Sequence, residues 1–219
     1  MAYWLLLRQV LINGALALTP VVLSYAILWC YATKGLGKLR PLLIAPLVVL
    51  WFLFLPNTCY LLTEWRHYMY MVDVKDLFIQ ADVHDKLIVP LFAMSIFYLL
   101  YSGFGVVTYA LAIRPIENIA TRHKMPLYVW GLPFFVAMAI GLYLGLIRRA
   151  NSWDVFLRPQ RVTQALFDIV SRPHLAAFIV VVGLFLWAVY EAVDIWIDGV
   201  SERWSLRSGR RVHLGPKLD

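Results

Sequence analysis

Four stretches of this 219-residue chain, residues 10–32, 41–63, 87–113 and 126–147, contain no Asp, Glu, Lys or Arg, and a fifth, 174–197, contains only Glu191 and Asp194. Each is long enough to cross the ~30 Å hydrocarbon core of a bilayer, which takes about 20 helical residues. Lipid offers the backbone no hydrogen-bond partner, so such runs fold as helices that bond their amides internally. The pattern predicts an all-α, multi-pass transmembrane helical bundle of about five spans and excludes soluble layered folds. Only 15% of residues are charged, against roughly 25% in soluble domains.

The spans divide the chain into one transmembrane domain, residues 1–200, and a basic cytoplasmic tail, 201–219. Residues 148–172 are too charged to span. Within them Val162, Ala165, Leu166, Ile169 and Val170 recur at i, i+3, i+4, i+7 and i+8, while Arg158, Arg161, Gln164 and Asp168 take much of the rest. That spacing predicts an amphipathic helix lying in the membrane interface. Cys30 and Cys59 fall near opposite membrane faces, so neither a disulfide nor a cysteine metal site is expected. The net charge of +7 is spread over loops and tail. It suits membrane lipids, including anionic headgroups, and no nucleic acid is expected as a partner.

An odd number of spans places the N-terminus, the connection 64–86 and the segment 148–172 on one face. That face carries nine of the 20 basic residues together with seven acids, whereas the other eleven basic residues lie in the short loops and tail opposite, where acids are fewer. The excess of positive charge in short cytoplasmic loops then predicts the N-terminus outside and the C-terminus in the cytoplasm.

Two polar patches stand out. In the first, the apolar run ends at Pro56 and Asn57. If the helix continues through Pro56 with a kink, Asn57, Tyr60, Glu64 and His67 fall within roughly an 80° arc, with Thr63 beside it. Alternatively, Pro56-Asn57 ends the span and Glu64 and His67 lie among headgroups. Length favours the kinked helix, since stopping at Leu55 leaves only about 22 Å of helix. The second patch, Arg148, Arg149, Asn151, Ser152, Trp153 and Asp154, closes the fourth span on the same face. It reads either as the other wall of a shared polar cavity, with Arg149 meeting Glu64 or an anionic headgroup, or as an interface anchor with Asp154 as helix cap. Gly141 and Gly145 form a G-x-x-x-G pair suited to close helix packing inside one chain.

The segment LFLPNTCYLLTEWRHY resembles the signature LFLPNAPYLxTDLxHL, and GLYLGLIRRANSWDVFLRP resembles GIYLGRFLRWNSWDLLTNP. Both signatures belong to a bacterial membrane-protein family, domain of unknown function 1361, and the resemblance runs over about residues 41–186. Cys59 stands where the family has a second proline and Glu64 where it has aspartate. Leu146 stands where it has its first arginine, and Arg148 follows two residues later. The family implies architecture, a bacterial inner (plasma) membrane location and candidate positions, but no chemistry.

Glu64-x-x-His67 has the spacing of carboxylate-bridged metal bundles, but these need a second such pair, so neither metal nor cofactor is expected. Ser152, Thr63 or Cys59 near His67 lacks the surroundings of an activated nucleophile. Glu191, Asp194 and Asp198 share a helix face, read either as a proton or cation relay or as partners of Arg203 and the basic loops. The best-fitting role is a non-catalytic accessory or assembly subunit of a larger membrane complex, alongside other membrane-protein chains. The alternatives are an enzyme or binding protein for a lipid or lipid-linked substrate, and a small transporter.

Overall fold

A computed structural model of the chain describes residues 2–63, 87–149 and 154–208. Among these residues the structure is all-α, and five helical segments are long and apolar enough to cross a membrane. The first span is α1 (Ala2–Ala32). A 3-10 turn (Lys34–Leu39) leads into α2 (Arg40–Phe54), and α3 (Pro56–Leu62) completes the second span. The third and fourth spans are α4 (Ile88–Arg122) and α5 (Leu127–Leu146). A single-turn α6 (Asp154–Leu157) and α7 (Pro159–Ser171) precede the last span, α8 (Pro173–Ser208).

Pro56 does not stop the second span. Leu55 keeps helical angles (φ −57°, ψ −39°), so α2 and α3 form one kinked helix, and Gly35–Leu61 is continuous enough to count as a single crossing. Proline removes a donor and frees the carbonyl four residues back. Local groups supply donors around the break: the Thr58 backbone N–H donates to Leu55 O at 3.1 Å, Asn57 Nδ2 to Phe54 O at 2.8 Å, and Thr58 Oγ1 to Leu55 O at 2.8 Å.

Two expected boundaries move. The third span does not end at Ile113 in a basic loop; it runs through Pro115 to Arg122. Its continuation is held by α8, where Asp194 and Asp198 pair with Arg114 and the Tyr190 hydroxyl donates to Glu117. Those acids neutralise the charge that reads as a stop. The last helix likewise runs past Ile197 to Ser208. Of the apolar stripe expected on α7, Ala165 and Ile169 are buried against the bundle, Val162 is half-buried, and Leu166 and Val170 are exposed. Its N-cap is Arg158, however, and Asp154 opens the separate α6 instead.

An aromatic core joins the helices. Trp51 donates Nε1–H to Ala112 O at 2.8 Å and stacks on Phe134 with centroids 5.8 Å apart. Tyr109 donates to Leu186 O at 3.2 Å and meets Tyr190 edge-on, while Phe135 stacks on Trp187. Cys30 and Cys59 are both buried and free. At one face of the bundle Tyr31 and His123 share a hydrogen bond of 3.0 Å, joining the ends of α1 and α4.

Candidate functional site

The segment α3 sits between two helices that each yield space through glycine. A Cβ on Gly105 of α4 would lie 2.7 Å from Leu61 Cβ and 3.0 Å from Thr58 O. A Cβ on Gly141 of α5 would lie 2.6 Å from Pro56 Cγ, and one on Gly145 would collide with the Tyr60 ring. The G-x-x-x-G pair is therefore a seat for the kinked half of the second span within the same chain. Contacts this close need residues without a Cβ.

This seating fixes where the candidate residues go. Asn57 is buried at 8% exposure beneath its back-bonded carbonyl. Tyr60 is pressed onto the α5 glycines, with its hydroxyl 3.5 Å from Gly141 O. Thr63 ends α3 and donates from Oγ1 to Tyr60 O at 2.8 Å. Cys59 and Thr63 together face Leu146, Ile147 and Phe178 across a cavity of about 290 Å³. The end of α3 and the end of α5 thus lie at one membrane face.

At that face α5 ends with Arg149 in the left-handed region (φ 51°). For a residue with a side chain this conformation costs roughly 1–2 kcal/mol. Arg148 pairs with Asp168 and so ties the end of α5 to α7. Asp154 is buried at 4% exposure, and its carbonyl accepts the Arg158 N–H at 2.8 Å. Glu64, His67, Asn151, Ser152 and Trp153 lie outside the described residues. The structure thus brings Asn57, Tyr60 and Thr63 to the same end as Arg148, Arg149 and Asp154. The second cavity there, also about 290 Å³, is lined by Phe52, Pro56, Tyr60, Leu144, Val162 and Leu166 among others, and is almost wholly apolar.

A further polar cluster lies near the opposite face. Arg114 bridges Asp194 at 3.0 Å and also pairs with Asp198; Tyr190 donates to Glu117; Trp187 donates Nε1–H to Glu191 at 3.0 Å. The acidic face of α8 is readable from its spacing. Arg114 and Glu117 are not, because Arg114-Pro115 looks like the start of a loop. Among the described residues no group of three or more His, Cys, Asp or Glu could hold a metal ion.

A kinked span seated on glycine, an interfacial helix and an apolar cavity beneath it define a polytopic α-helical membrane protein. Residues 12–189 match the family described as protein of unknown function (DUF1361), and the chain belongs to that family. No curated protein and no solved structure matches it.

Proposed function

We propose that this chain is a non-catalytic accessory or assembly subunit of a larger complex in a bacterial plasma membrane, with its N-terminus outside and C-terminus in the cytoplasm. The observation behind this reading is that the described polar side chains around Pro56 bond to nearby backbone, and that Arg148 at the end of α5 is held by α7. Asn57, Thr58 and Thr63 donate to nearby carbonyls, and Arg148 pairs with Asp168. Such bonds hold a shape. Meanwhile Phe92, Ile96 and Leu99 make an exposed stripe on α4, continued by Gly103, beside which there is open space. A small residue flanked by apolar ones is a notch into which another transmembrane helix can pack closely.

Gentle solubilisation from the native host, followed by native mass spectrometry, tests this role. A membrane chain should co-purify in fixed stoichiometry and be lost from Gly103→Trp while that variant stays folded and monodisperse. A wild-type chain that stays alone, or a partner indifferent to Gly103→Trp, refutes the assignment. The second reading, a protein acting on a lipid or lipid-linked substrate, draws support from the apolar cavity beside Tyr60. It requires Glu64→Gln and Asn151→Ala to abolish function in folded protein.

A further inference from the structure

The cavity under the interfacial helix has a floor and walls of distinct origin. The second span contributes Phe52, Pro56 and Tyr60, and α5 contributes Leu144, while Val162 and Leu166 of α7 roof it. Its volume of about 290 Å³ is at the small end of ligand pockets, which run upward from ~300 Å³. The walls offer hydrocarbon and little else, so the part of a ligand held inside is an unsubstituted chain.

The helix that roofs it carries charge of one sign at its start. Arg158 and Arg161 are exposed at the start of α7, within one turn of Val162. Arg149 and Arg172 are exposed at the two ends of the same interfacial segment. Of the acids described in that segment, Asp168 is paired with Arg148 and Asp154 is buried. An apolar slot whose roofing helix begins with exposed arginines is complementary to a molecule with a hydrocarbon chain and an anionic head. From this complementarity we infer that the groove holds one acyl chain of an anionic glycerophospholipid, with its phosphate at Arg158 and Arg161. The inference goes beyond the assembly role and does not rest on it; a partner can be lost with lipid retained, or the reverse.

The test uses full-length protein in detergent, offered phosphatidylglycerol or phosphatidylcholine with identical acyl chains and read by native mass spectrometry. Phosphatidylglycerol should be retained preferentially. Each of Arg158→Gln and Arg161→Gln should weaken that retention roughly fivefold, the loss expected for one cation near a lipid phosphate, and leave phosphatidylcholine unchanged. Leu166→Trp should fill the slot and reduce retention of both lipids, with an unaltered thermal midpoint showing that the fold survives. Equal retention of the two lipids by wild type overturns the inference. So does full phosphatidylglycerol retention by folded Leu166→Trp, or a lipid-free dimer of this chain formed through the same groove.

Discussion

Gly103 and Gly105 lie two residues apart on α4, yet Gly→Ala should have opposite effects at them. Both substitutions gain about 1 kcal/mol from the better helix propensity of alanine. At Gly103 nothing lies within 4 Å of the new Cβ, so the gain is kept. At Gly105 the new Cβ meets Leu61 Cβ at 2.7 Å and Thr58 O at 3.0 Å. Neither can rotate away, because one is fixed to the backbone of α3 and the other is part of it. Overpacking of this kind costs typically 1–3 kcal/mol, so Gly105→Ala should be net destabilising by about 1 kcal/mol. The two variants should therefore differ by about 2 kcal/mol, with Gly103→Ala above wild type and Gly105→Ala below it. Unfolding by a graded denaturing detergent, followed by tryptophan fluorescence, measures the difference. Leu61→Ala should not rescue Gly105→Ala, because alanine keeps the offending Cβ. Equal stability of the two glycine variants, or rescue by Leu61→Ala, would refute the claim that α3 seats backbone-close on Gly105.

Other substitutions probe separate contacts. Trp51→Phe keeps an aromatic ring against Phe134 but leaves Ala112 O without its donor, and should cost about 1–3 kcal/mol in the same unfolding assay. Arg114→Gln should destabilise by roughly 1–3 kcal/mol, since it leaves Asp194 and Asp198 beside Glu117 and Glu191 without their counter-charge. Arg148→Gln breaks a more exposed pair with Asp168 and should cost under about 1 kcal/mol, so the order of these two arginines is the decisive comparison.

How far the chain could be read before its structure was seen depends on whether a feature is local. The five crossings follow from runs with little or no charge, and α7 follows from a repeat of apolar residues, both visible along the sequence. That Asn57 and Arg148 reach the same face follows from counting crossings. What joins them does not. Gly141 and Gly145 announce close packing, but nothing in their spacing names Pro56 and Tyr60 as the residues received. The polar arc expected on the second span is likewise reshaped by contacts from afar: Tyr60 is turned onto α5, and Asn57 is drawn back to the carbonyl of Phe54. Arg114 misleads for the same reason, because its neutralising carboxylates are 80 and 84 residues away in sequence. The remaining members of the two patches, Glu64, His67, Asn151, Ser152 and Trp153, lie outside the described residues.

Among the described residues, α1, α4 and α8 run through the bundle in one sense, while the α2–α3 span and α5 run in the other. The peptide dipoles of two opposed pairs cancel, and one helix is left over. Its C-terminal end carries roughly half an elementary negative charge on the face where α1, α4 and α8 finish. Arg122 and Arg207 stand in the final turns of α4 and α8 on that face. Cations in those final turns interact favourably with the field of the unmatched helix, whichever compartment that face meets.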